Sequence, residues 1–148
     1  VVTELPQTQD RPTIPGLGGY HHIGLTVPNI EASEEWYVRV LGMTRAFVEP
    51  HNGGGSGYAV VLHRPGTSLF LGLDKHETNQ GERFDESRTG LDHVAFHVAE
   101  RSELDAWIDH FERQGVRHSG VSEFSEPFPF AVVVFRDPDN MQLELIWQ

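Results

Sequence analysis

Three short apolar runs each carry a residue able to hold a metal ion: His22 in HHIGLTV, His93 in LDHVAFHV and Glu144 in MQLELIW. Side chains alternate across a β-strand, so residues two apart share a face. In the first run Ile23, Leu25 and Val27 form a bulky apolar face, and His22, Gly24 and Thr26 a small or polar one. In the second, Val94, Phe96 and Val98 oppose His93, Ala95 and His97. In the third, Met141, Leu143, Leu145 and Trp147 oppose Gln142 and Glu144. Small residues beside the histidines leave room for something to sit there. Two imidazoles and one carboxylate with open positions form the ligand set of many non-haem Fe(II) sites, and also suit Mn, Ni, Co or Zn. Such an ion polarises a carbonyl, stabilises an enolate, activates water, or binds dioxygen and a substrate together. A lone histidine is more often a hydrogen-bonded residue on a half-buried sheet. Here an internal repeat puts two at equivalent positions and a neighbouring strand brings a third donor.

That repeat is the strongest structural signal. After Gly18-Gly19 the chain offers a strand (YHHIGLTV), a helix over 29–41 capped by Asn29 and closed by Gly42, and three further strands, MTRAFVEP, YAVVLHR and TSLFLGL. The order then restarts with LDHVAFHV, a helix SELDAWIDHFERQ capped by Ser102 and closed by Gly115, and the strands VRHSGVSEF, FAVVVFR and MQLELIW. His22 pairs with His93 and Trp36 with Trp107, both 71 apart, and Pro65 pairs with Pro138 at 73. One half cannot close a core alone, and pairing two buries the helices and leaves a concave sheet. The expected fold is α+β, with paired βαβββ modules forming a cup-shaped, mostly antiparallel eight-stranded sheet and helices on the outside. The expected divisions are an extended or disordered arm (1–17), a first module (18–73), a linker (74–90) and a second module (91–148), all in one domain. Through the Pro65–Pro138 anchor Glu144 aligns with Leu71, flanked on its face by Leu69 and Leu73. None of these leucines binds metal, so the site is expected to be three-ligand and open.

Composition narrows the partners. A net charge of −11 argues against nucleic acid or an anionic membrane surface, since both demand a basic face. No apolar run approaches the roughly 20 residues of a membrane span, and no secretory signal pattern opens the chain. The 148 residues contain no cysteine, which excludes disulfides and thiolate chemistry and fits a cytoplasmic protein. A small molecule is the expected partner.

The runs HHIGLTV, EEWYVRVLGM, GLDHVAFHV and FRDPDNMQLELI together resemble the vicinal oxygen chelate superfamily over residues 18–148. It includes glyoxalase I, extradiol dioxygenases, fosfomycin-resistance enzymes, methylmalonyl-CoA epimerase and bleomycin-binding proteins. The resemblance implies that His22, His93 and Glu144 hold a divalent metal. It also implies a homodimer, in some members with a site shared between chains, so that His22 would work with the other chain's His93 and Glu144. Leu71 departs from the acid that glyoxalase I carries, and the epimerase pattern also puts a polar ligand in the first half. Three-ligand members fit better, although extradiol dioxygenases are usually longer and the 11 Lys and Arg are not obviously arranged for a phosphonate. The implied function is a glyoxalase- or dioxygenase-like metalloenzyme (a lyase or isomerase, a dioxygenase or an antibiotic-modifying transferase). The alternative is a drug-sequestering protein of the bleomycin-resistance kind.

Other residues are candidates for lesser roles. His97, two beyond His93, is a candidate general base or orienting partner, or else a polar wall residue. Tyr58 and Phe130 sit at equivalent strand starts, with Tyr58 a second candidate proton handler and Phe130 a pocket wall. The loop from His51 to Gly57 is a candidate lid, and His76, Phe84 and Arg88 of the linker could roof the cavity. Asp137 and Asp139 belong to a turn, and Trp36 and Trp107 to the helix core.

Overall fold

The computed structural model describes residues 14–51 and 56–148. Most of the expected arm and residues 52–55 of the candidate lid lie outside the described residues. The elements run β1 (Ile23–Thr26), α1 (Ile30–Leu41), β2 (Thr44–Pro50), β3 (Tyr58–His63), β4 (Phe70–Lys75), then β5 (Val94–His97), α2 (Arg101–Gln114), β6 (His118–Phe124), β7 (Phe130–Arg136) and β8 (Gln142–Trp147). This is the expected βαβββ order, twice. The eight strands fall into two sheets of four, ordered β1-β4-β3-β2 and β5-β8-β7-β6. In each sheet the first strand runs parallel to the last and the other pairings are antiparallel.

Both helices form for local reasons. Asn29, in extended backbone, accepts from the N–H of Ala32 at 3.0 Å, and Gly42 closes α1 in the left-handed region at φ 64°. Ile30, Ser33, Trp36, Tyr37, Val40 and Leu41 form its buried stripe. α2 begins one residue before the expected Ser102 cap. The Glu103 carboxylate instead accepts from the backbone N–H of Glu100 at 2.8 Å, one arm of a capping box. Trp36 is buried as expected, whereas Trp107 is only partly so, with the Arg64 guanidinium 5.5 Å from its ring centre.

One apolar cluster spans both modules, joining Leu25, Tyr37, Leu62 and Leu73 with Leu104, Phe111, Phe135 and Leu143. The halves meet through α1. Trp36 stacks near Phe135, His110 donates to the Val40 carbonyl at 2.8 Å, and Ser33 donates to Asp139 at 3.1 Å. The Tyr37 hydroxyl donates to Asp137 at 2.9 Å. Asp137 also accepts from the backbone N–H groups of Asp139 and Met141, both at 2.8 Å. The turn aspartate is thus buried and fully bonded, a structural tie between modules. Because the joint uses helix and turn, the opposite face of each sheet stays open. Gly24, Thr26, Ala95 and His97 are all exposed there.

Candidate metal centre

Two of the three expected ligands stand together. The β5–β8 register pairs Ala95 with Glu144, so His93, Ala95, His97 and Glu144 share the open face of the second sheet. His93 Nε2 lies 3.4 Å from Glu144 Oε2. His93 Nδ1 donates to Asp92 Oδ1 at 2.7 Å, which fixes the ring with Nε2 toward the Glu144 carboxylate. Two donors about 2.1 Å from a tetrahedral ion stand roughly 3.4 Å apart, so this pair has the spacing of two ligands of one cation. The donor set therefore fits a divalent metal.

A chain of bonds holds Asp92 in turn. Gln142 Nε2 donates to Asp92 Oδ1 at 3.1 Å, and Arg136 donates to Gln142 Oε1 at 2.9 Å. Arg136 also grips Glu86 of the connecting segment through two bonds, at 2.8 and 2.9 Å. These bonds lower the Glu86 carboxyl to about 2, and the pairing raises the Arg136 guanidinium above its usual value.

His22 lies at the matching place in the first module, exposed, its Nδ1 2.9 Å from that of His21. His22, His93 and Glu144 do not form a ligand group closing to within 4.8 Å; among the described residues the single group that does is His51, Asp74 and His76. His51 Nε2 contacts Asp74 Oδ1 at 2.9 Å, and the rings of His51 and His76 are 4.6 Å apart.

The register moves two equivalences by one residue. Ile23 pairs with Leu71 and Val94 with Leu143, so the counterpart of Glu144 is Gly72, not Leu71. Leu71 faces the core at 1% exposure, and the same-face neighbours of Gly72 are Phe70 and Asp74 rather than Leu69 and Leu73. The turn before β4 spans 64–69 and that before β8 spans 137–141, so the first is one residue longer. Counting from the prolines carries that extra residue into the alignment. Likewise Tyr58 pairs with Lys75 and Ala131 with Trp147, making Tyr58 the counterpart of Ala131. Tyr58 packs on the core side of its sheet, with the Lys75 ammonium 5.9 Å from its ring centre.

The remaining candidates scatter. His97 is exposed on the face of His93. Phe130 shares the open face with Glu144 further along, stacked on Phe124 at 4.6 Å and 10°. Arg88 lines a separate cleft of about 310 Å³ with Thr26, Arg83, Asp139 and Met141. Phe84 packs against the core and donates its N–H to the Asp139 carbonyl at 2.9 Å. Asp74, expected in the linker, lies in β4, which runs on to Lys75. The alternation Gly72, Asp74, His76 was the signal that could have placed it.

The model of the glyoxalase/bleomycin resistance protein/dioxygenase superfamily matches residues 19–145. MhqA of Bacillus subtilis (strain 168), assigned as a ring-cleaving dioxygenase, is 31% identical over 88% of this chain, which spans 39% of that protein's length. A 2-epi-5-epi-valiolone epimerase from an Actinomyces species is 29% identical over 90% of the chain and 81% of the relative. The crystal structure of a glyoxylase/bleomycin resistance protein/dioxygenase domain from Frankia sp. EAN1pec superposes with a TM-score of 0.77 at 30% identity, covering 89% of this chain and 98% of that one. The duplicated modules, their register and this match over almost the whole chain place the protein in the glyoxalase/bleomycin resistance protein/dioxygenase superfamily.

Proposed function

We propose that the protein is a metal-dependent enzyme acting on a small substrate with two neighbouring oxygens, its ion held by His93 and Glu144 of one chain and His22 of a second copy. The carrying observation is the His93–Glu144 pair at 3.4 Å, with Asp92 occupying the other ring nitrogen. The open sheet faces and the missing third ligand support completion by a partner. The bound ion, Fe, Mn, Ni, Co or Zn, would act as a Lewis acid toward the substrate oxygens. Around it Asp92 fixes the His93 tautomer, and Ala95 and Gly72 leave the floor clear. His97, two residues along the same face, would be the group that moves a proton, since Tyr58 packs on the core side of its sheet.

A drug-sequestering role is the second reading, and one feature favours it: Phe124, Phe128 and Phe130 form a part-exposed aromatic wall on the second module. Phe130 lies about 13 Å along β7 from Val134, the partner of Glu144, so the wall suits a long planar ligand. Metal analysis of protein purified without chelators, beside His22→Ala and Glu144→Ala variants, separates the two readings. The enzyme reading expects an ion that both substitutions remove, with dimers in light scattering. Metal content unchanged by either substitution, or none at any loading, would overturn it.

A further inference from the structure

The pseudo-symmetry of the chain supplies its own control for the His51, Asp74 and His76 cluster. His51 and Phe124 occupy equivalent places, because Pro50 pairs with Tyr58 as Glu123 pairs with Ala131. By the same registers Gly57 matches Phe130, and Asp74 matches Ile146. In the second module this corner of the open face is apolar, with Phe124 stacked on Phe130. The fold therefore does not require polar groups there. In the first module the same corner carries two imidazoles and a carboxylate, their ligand atoms all within 4.8 Å of one another.

Three glycines clear the space for them. His51, Gly57 and His76 each stand one residue beyond the paired ends of β2, β3 and β4, the His51 N–H donates to the Gly57 carbonyl at 3.0 Å, and the two imidazole rings lie 4.6 Å apart. A Cβ at position 57 would overlap His51 Nδ1 and the Lys75 carbonyl oxygen. Further down, Asp74 Oδ2 lies 2.9 Å from where a Cβ of Gly24 would sit and 3.3 Å from that of Gly72. The carboxylate thus lies low over β1 and β4, its other oxygen 2.9 Å from His51 Nε2. That separation is a hydrogen-bond distance, and it is also close to the edge of roughly 3 Å between ligands of an octahedral ion. His51 and Asp74 are three-quarters buried, and the adjacent cation Lys75 points to the other face, over Tyr58.

We propose that His51, Asp74 and His76 form a second divalent-metal site, separate from His22, His93 and Glu144. Two imidazoles and one carboxylate take a borderline cation of the Zn²⁺, Co²⁺ or Ni²⁺ class, with water or a ligand oxygen in the remaining positions. Asp74 lies about 13 Å along β4 from Phe70, and the β1–β4 register that pairs Ile23 with Leu71 puts His22 at that far end, so the two sites share a face and no ligand. The ion would pin the edge strand β2 to β4 across Gly57.

Cobalt titration of chelator-stripped protein, followed by visible absorption and by the melting temperature, tests this. Wild type should bind about two equivalents per chain, and Asp74→Asn or the exposed His76→Ala should each remove one or weaken it at least about ten-fold. Glu144→Ala should keep the Asp74-dependent equivalent and its rise in melting temperature. Unchanged stoichiometry and affinity in both Asp74→Asn and His76→Ala would overturn the second site, whatever Glu144→Ala does. Binding lost with Asp74→Asn but intact in Glu144→Ala would keep this site and sink the reading of the first.

Discussion

Tyr37 and Asp137, a hundred residues apart in the chain, share a buried hydrogen bond of 2.9 Å that crosses from one module to the other. Removing the hydroxyl with Tyr37→Phe should cost about 1–3 kcal/mol, since the buried Asp137 loses its one side-chain donor. Burial first, then Asp137, raises the phenol well above 10.0, so its contribution is full below that value and is lost as pH rises through the folded one. Stability of wild type should therefore fall more steeply than that of Tyr37→Phe in alkali. Denaturant midpoints along a pH series check both points.

The Glu86–Arg136 pair behaves in the opposite sense. Arg136 lowers the carboxyl from 4.5 to about 2, so its contribution is present above 4.5 and disappears as pH falls through 2. Wild type should lose stability over that acid window, and Glu86→Gln should lose less. Thermal melts across the window provide the comparison.

Asp92→Asn should weaken metal binding about ten- to a hundred-fold without unfolding the protein. The carboxylate accepts from His93 Nδ1 at 2.7 Å and is exposed, so its removal frees the ring tautomer and leaves the core alone. Competition titration against a metal indicator measures the shift.

Gly57→Ala should destabilise the chain by about 1–3 kcal/mol. Its methyl group meets the Lys75 backbone oxygen as well as the His51 ring, and backbone cannot step aside. Chemical denaturation with the metal removed isolates this cost from any loss of binding.

Much of this arrangement was legible because alternation fixes faces. His93, Ala95 and Glu144 were placed together from the parity of two strands, and Asn29 and Gly42 marked both ends of α1. What misled was length. The turn after β3 has one residue more than the turn after β7, and in a strand one residue reverses the face. Leu71 thereby reads as an open-side residue although its side chain belongs to the core, whereas Tyr58 is displaced by matching YAVVLHR to FAVVVFR from their first residues, one short of the register that makes Ala131 its counterpart. Asp74 is hidden differently: a polar residue next to Lys75 and His76 resembles the start of a loop, and its alternation with Gly72 is a weaker signal than the pairing with Ala59 and Thr26 that makes it strand.

The joint between the halves has a consequence for how such a chain can change. What holds it together lies on one side, in α1, the turn of Asp137 and the shared core, and the open sheet faces lie on the other. Substitutions at Phe124, Phe130, His97 or Gly72 would change the open faces while the residues that secure folding are untouched. The two modules keep one topology and one shared core while the matching corners of their open faces differ, aromatic in one and imidazole-bearing in the other.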